Sequence, residues 1–138
     1  MTADSVPAAV LRFYDALNLP GTKDVAALLR GATREDWRSY SSDTTFKGRD
    51  ELIALVTGFG RLIPDLRWEI REVIQVGDKV VVRSTASGTP VAPFMGAPQG
   101  GRFEVMTIDI HTLIDGELAV AHHIEDWMGA VQQLSAAR

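Results

Sequence analysis

The sequence predicts an α+β fold in which a cone-shaped, curved antiparallel sheet is closed by about three N-terminal helices. Three observations carry that expectation. Apolar residues recur at helical spacing over 5–18 and again over 49–63. Beyond Pro64 the period switches to two and persists, with interruptions, to Glu125. Between two β-branched and apolar runs stands Asp115-Gly116, the strongest hairpin signal a short stretch can offer. Helices followed by a run of strands is the α+β order. The length of 138 residues suits a single domain over 1–138 with a proper core, and no internal repeat is visible.

In chain order, Ser5 is placed to cap the first helix, with Pro7 in its first turn. Val6, Val10, Phe13, Tyr14 and Leu17 share one face. Leu19-Pro20-Gly21 stops that helix, and Thr22 can cap a short second one through Leu29. Residues 31–48 hold no sustained period and read as an irregular loop with one short strand or turn. Trp37 and Tyr40 inside that polar stretch form either a pocket rim or a cover over the core. Leu52, Leu55, Val56, Phe59 and Leu62 then define a helix ended by Pro64. Leu66, Trp68 and Ile70 alternate with Arg67, Glu69 and Arg71 in a half-buried strand, whose arginines face solvent or a subunit. Gly77-Asp78 turns into a strand over 79–88. The segment 89–101, with three Pro and three Gly, is a long irregular connection of the kind that flanks a binding mouth. Strands over 102–114 and 117–125 follow, and the tail beyond Asp126 has length for a last helical turn or two.

Composition removes several classes of function. The formal net charge is −4, without a basic run, which argues against nucleic acid as a partner. The absence of cysteine excludes disulfides, thiol nucleophiles and zinc–thiolate sites. No apolar run approaches the ~20 residues of a membrane span, and no leader pattern opens the chain, so the expected location is cytoplasmic, away from membranes. GxSxG, P-loop and dinucleotide-binding glycine motifs are missing.

If Asp115-Gly116 is a two-residue turn, Ile114 pairs with Glu117, Leu113 with Leu118, His111 with Val120, Asp109 with His122 and Val105 with Asp126. Paired residues share a face. Phe103, Val105, Asp109, His111, Leu113, Leu118, Val120, His122, Ile124 and Asp126 then form one apolar wall with ionisable groups set into it, and His123 points away. A carboxylate in such a wall has a raised pKa and can move protons near neutrality. Asp126 has a second reading as the cap of a following helix, which would shift its pKa the opposite way. Asp109, His111 and His122 form either a network that orients a substrate carbonyl or a buried structural pair. A zinc or iron site from these groups lacks any metal-binding spacing. Tyr14 is either a ligand-contacting hydroxyl or a core aromatic with its OH at the rim. The opposite sheet face, with Met106, Ile108, Ile110, Ile114, Ala119 and Ala121, is apolar enough to predict a homodimer.

The stretch DGEL, with Asp126 ten residues after Gly116 and Gln133-Leu134 seven beyond it, resembles the C-terminal signature of the SnoaL-like polyketide cyclases. PDLRWEI at 64–70, GDKVVVRSTASGT at 77–89, PFMGAPQGGRFEV at 93–105, IDIHTLIDGEL at 108–118 and RFYDALN at 12–18 are similar to family segments in order and spacing. Val120, Ala121 and His122 stand where the family usually shows Glu, His and Trp before its Asp. The resemblance implies a cofactor-free, metal-free enzyme that closes a polyketide ring by an intramolecular aldol reaction in an apolar pocket. It implies a flat, ketone-rich ligand, Asp126 as acid/base, and dimers joined through their sheets. Asp126, His122, His111 and Asp109 are thus the catalytic candidates, and Tyr14, Trp37, Tyr40, Trp68 and Phe103 the substrate-binding ones. The same cone also hosts isomerases, dehydratases and epoxide hydrolases, which are the first alternative, and a non-catalytic small-molecule-binding module is the second.

Overall fold

The computed structural model describes residues 6–136. Helix α1 (Ala8–Ala16) starts after Pro7, whose fixed φ suits the entry, whereas Ser5 lies outside the described residues. A 3-10 turn at Pro20–Thr22 uses up Thr22, and Asp24 caps α2 (Val25–Ala32) in its place, accepting from the Ala27 N–H at 3.0 Å. Helix α3 (Arg49–Leu62) crosses this turn at close range. A Cβ on Gly60 would stand 2.6 Å from the Gly21 nitrogen, so no side chain fits there.

The stretch 31–48 is the first correction. It contains an eight-residue strand, β1 (Thr33–Tyr40), and a short one, β2 (Phe46–Gly48). On β1 only Thr33 and Trp37 are buried, and Arg34, Glu35, Asp36 and Arg38 between them erase the alternation that would have revealed a strand. Strands β4 (Lys79–Gly88), β5 (Phe103–Ile114) and β6 (Glu117–Glu125) follow within a residue of expectation, and β3 (Arg67–Val76) runs five residues beyond the alternation that ended at Arg71. The six strands form one curved, unclosed sheet in the order β2-β1-β6-β5-β4-β3. It is not wholly antiparallel, because β1 runs parallel to β6. The tail is a ten-residue helix, α4 (Trp127–Ala136), longer than a turn or two. Gln133 ties it to β5, accepting from the Glu104 N–H at 2.7 Å and donating to the Glu104 carbonyl at 3.0 Å.

The β5–β6 hairpin begins as expected. Asp115 and Gly116 both have positive φ, the type I′ geometry, and Ile114 and Leu113 face Glu117 and Leu118. One step later the register slips. Thr112 pairs with Val120, so Ala119 is the extra residue of a β-bulge, and Leu118 and Ala119 are both buried. Every later residue of β6 is displaced by one. Asp109 faces His123 rather than His122, His111 faces Ala121, and Thr107 faces Glu125.

That slip exchanges the two faces. Ala121, His123 and Glu125 turn inward with Asp109 and His111, while Val120, His122 and Ile124 turn outward. The outer apolar patch therefore comprises Met106, Ile108, Ile110 and Ile124, with Ile114 beyond, and lacks the buried Ala119 and Ala121. Phe103 packs in the core, stacked on Phe94 at 5.9 Å with Trp127 edge-on to both. No helix among the described residues is long and apolar enough to cross a membrane.

Candidate active site

Helices α1 and α3 lie over the concave side of the sheet and leave a narrow cavity of about 50 Å³. Phe13, Leu17, Trp37, Val56, Phe59 and Trp68 supply its apolar wall, and Asp109, His123 and Glu125 are linked ionisable groups in its lining. Lys47 and Ser39, paired across β1 and β2, also line it, as do Leu52 and Leu55 of α3. Asn18 sets the wall's geometry where α1 ends. Its side chain donates to the carbonyls of Tyr14 and Trp68 and accepts from the Trp68 N–H, joining helix to strand. The Trp68 indole N–H is in turn held by the Thr107 hydroxyl at 3.0 Å.

The ionisable groups form a chain. Tyr14, Asp109 and His111 are essentially excluded from solvent. The Tyr14 hydroxyl donates to Asp109 Oδ2 and lies 2.8 Å from His111 Nε2. Since the phenol has one proton, His111 Nε2–H completes the set by donating to the Tyr14 oxygen, and His111 Nδ1 has no partner. On its other side Asp109 Oδ1 holds His123 Nδ1, and His123 Nε2 holds Glu125 Oε2. His123 is thus clamped between two carboxylates.

Electrostatics follow from this geometry. Burial disfavours the charged form of His123, but the hydrogen bonds and charges of Asp109 and Glu125 outweigh it and push its pKa up to about 10. Burial by itself would raise the Asp109 pKa. The hydrogen bond and charge of His123, the charge of His111 and the Tyr14 hydrogen bond instead bring it below its ordinary value. Burial lowers the His111 pKa, with Asp109 opposing and His123 reinforcing the shift. Burial, then the charge and hydrogen bond of Asp109, hold the Tyr14 phenol well above its usual range. At neutral pH the centre is an imidazolium bridging Asp109 and the more accessible Glu125.

The other candidates lie elsewhere. Asp126 is exposed, outside the cavity, and caps α4, accepting from the Gly129 N–H at 2.8 Å. Gly129 packs so tightly on this carboxylate that any Cβ there would displace it. An Asp at a strand-to-helix junction meets the bare N–H groups of the first turn, and here that geometry prevails over burial. His122 is exposed on the outer face, stacked on Tyr40 at 5.4 Å, so neither faces the cavity. Phe103 is core. Trp37 and Trp68 do line the cavity, whereas Tyr14 reaches Asp109 from behind it rather than sitting at a rim. Sequence reasoning missed His123 and Glu125. Their one signal was Leu118 to Ala121, four small or apolar residues in succession, which breaks strict alternation and leaves room for a bulge. Among the described residues, no group of three or more His, Asp or Glu side chains is set to hold a metal ion.

Comparison with known proteins agrees with this architecture. The structure is similar to TsrD from Streptomyces laurentii, with 28% identity over 99% of this chain and 98% of that one and a TM-score of 0.81. It is also similar to a chain from Jannaschia sp. CCS1 named as SnoaL-like polyketide cyclase, with 26% identity, 93% and 90% of the two chains covered and a TM-score of 0.77. A chain from Acidithiobacillus ferrooxidans shares the fold over the full length of both, with a TM-score of 0.81 at 17% identity. No curated protein matches significantly. The family model for SnoaL-like polyketide cyclase matches residues 8–134, nearly the whole chain. With that span, from the first helix to the Gln133-Leu134 pair, the chain belongs to the SnoaL-like polyketide cyclase family.

Proposed function

We propose that this protein is a cofactor-free acid/base catalyst of intramolecular aldol closure, acting on a small ketone-rich molecule in the inner cavity. The observation that supports it is the Asp109–His123–Glu125 chain at the floor of an apolar pocket. Family membership supports a cyclase-like role.

Each group has a part set by its free valences. Both oxygens of Asp109 are engaged, by Tyr14 and His123, so Asp109 orients and charges the imidazole. Glu125 has one oxygen uncommitted, and that oxygen takes the proton from a carbon flanked by carbonyls. The enolate attacks the second carbonyl, and the alkoxide so formed takes the Nε2 proton of His123. The Glu125 carboxyl then turns its protonated oxygen to Nε2 and returns the proton there, which leaves the site as it began and moves one proton from carbon to oxygen. Positioned proton transfer of this kind contributes typically ~10²–10⁴-fold, and the fixed chain geometry adds its orientation term. His111 supports Tyr14, which supports Asp109.

A cavity of about 50 Å³ admits only a few waters at ~10–15 Å³ each. A polyketide therefore needs the cavity to widen as it binds. The outer patch of Met106, Ile108, Ile110 and Ile124 supports a homodimer that leaves the cavity mouth free.

The test is ring closure of linear poly-β-ketone methyl esters, followed by retention and ultraviolet absorbance at unchanged mass. Wild type should close the ring, and Glu125→Gln should slow closure by ~10²–10⁴-fold. Equal rates with wild type, Glu125→Gln and no protein would overturn the reading.

A further inference from the structure

We infer that Trp37 is a ligand-binding residue of the inner cavity, its indole N–H donating to the oxygen atom on which charge develops during proton abstraction. The inference rests on the proton-transfer reading above and names a donor that reading lacks. Trp37 is 1% exposed, and its Nε1 has no hydrogen-bond partner. Buried donors are nearly always paired, so an orphan calls for an explanation. The described residues hold three such buried side-chain atoms, on Trp37, Ser84 and His111. Of these residues only Trp37 lines the cavity, as Asp109 and His123 also do.

The chemistry of the indole narrows the partner. Trp37 donates and never accepts, and it stays neutral throughout the working pH range. Its partner is therefore a carbonyl, enolate or phenolate oxygen, not an amine. A neutral donor suits this position, because the cavity already holds His123⁺ between two carboxylates. As the ligand oxygen gains charge the hydrogen bond becomes charge-assisted and shortens, which favours the enolate over the ketone. The indole ring is fixed for the purpose by its burial and by Phe13, 6.1 Å away between centroids.

The probe is acetylacetone, a small 1,3-diketone, read by ¹H–¹⁵N spectra of the three tryptophan indoles. The cross-peak absent from Trp37→Phe identifies Trp37. In wild type that peak should move downfield on titration, and by more than those of Trp127 and of Trp68, which is already bonded to Thr107. Trp37→Phe should bind acetylacetone about ten-fold more weakly. A Trp37 peak unmoved up to the solubility limit, or equal affinity in Trp37→Phe, overturns the inference. If that variant fails to fold, the Trp37 peak is assigned by elimination from Trp68→Phe and Trp127→Phe, and its shift in wild type decides. Deuterium exchange at the central carbon of acetylacetone separates this test from that of the proton-transfer reading. Exchange lost in Glu125→Gln with the Trp37 shift retained supports both. A shift without any enzyme-dependent exchange sinks the proton-transfer reading and leaves Trp37 as a binding donor. Exchange that proceeds with no shift sinks the role of Trp37 alone.

Discussion

His122 and His123 are chemically identical neighbours on one strand, yet they inhabit different molecules in effect. His122 stacks on Tyr40 in the open, on the outer face. His123 is bonded at both nitrogens, to Asp109 and Glu125, beside an apolar cavity. Nothing in their side chains distinguishes them. The difference is one extra residue, Ala119, inserted three positions after the turn, which decides which imidazole is wired to the interior. A strand amplifies such an insertion, since a slip of one residue reverses the face of everything beyond it.

The comparison is easiest to break by replacing each histidine in turn. His123→Asn should reduce ring closure by ~10²-fold or more, while His122→Asn leaves it within about two-fold, as measured by initial rates. Equal losses in both would mean that the bulge does not set the site. Deleting Ala119 is the sharper variant. It should take out the extra residue, keep Thr112 opposite Val120 and Asp109 opposite His123, and so leave ring closure in place, and a chain that folds but loses activity would contradict the bulge.

The next effect is on pH dependence. The folded-state pKa of His123 lies near 10, above its ordinary 6.5, so its clamp contributes stability that is full below about 6.5 and is lost as pH rises through about 10. The Asp109 pKa is depressed instead, so its contribution is present above its ordinary 3.8 and is lost as pH falls further. The melting temperature should therefore fall off on both sides of a plateau, and Asp109→Asn should erode both limbs. Histidine NMR should show the His123 pKa falling in Asp109→Asn and staying put in Asp126→Asn. The reverse pattern would place His123 beside Asp126.

Smaller effects concern the cap. Asp126→Ala should cost about 1 kcal/mol of stability, with ring closure unchanged, and Asp126→Asn only a few tenths, since Asn caps nearly as well. Gly129→Ala should reproduce the Asp126→Ala loss in thermal melts, because the added methyl evicts the carboxylate. Loss of activity in Asp126→Ala without loss of stability would return the acid/base role to Asp126. Least disruptive to chemistry is the outer face. Ile124→Glu should shift the protein from dimer to monomer in light scattering while ring closure persists.

What the sequence by itself determined is what is local. Helical spacing placed α1 and α3, and period-two alternation placed β3, β4 and β5. The Asp115-Gly116 pair placed the turn of the last hairpin, because only residues tolerant of positive φ form a type I′ turn. The motifs between Arg12 and Leu134 carried the family. Tertiary structure decided the rest. Strand β1 exists because β6 and β2 pair with it, not because TREDWRSY favours a strand. Phe103 and Tyr40 were indistinguishable from pocket residues by type, and packing sent one to the core and one to the outer face. The bulge at Ala119 lets Leu118 and Ala119 both be buried, a gain that belongs to the assembled core and to no pair of neighbours along the chain. Asp126 met the open end of α4, and His123, not His122, met Asp109, because backbone pairing across the sheet is settled by burial summed over both strands.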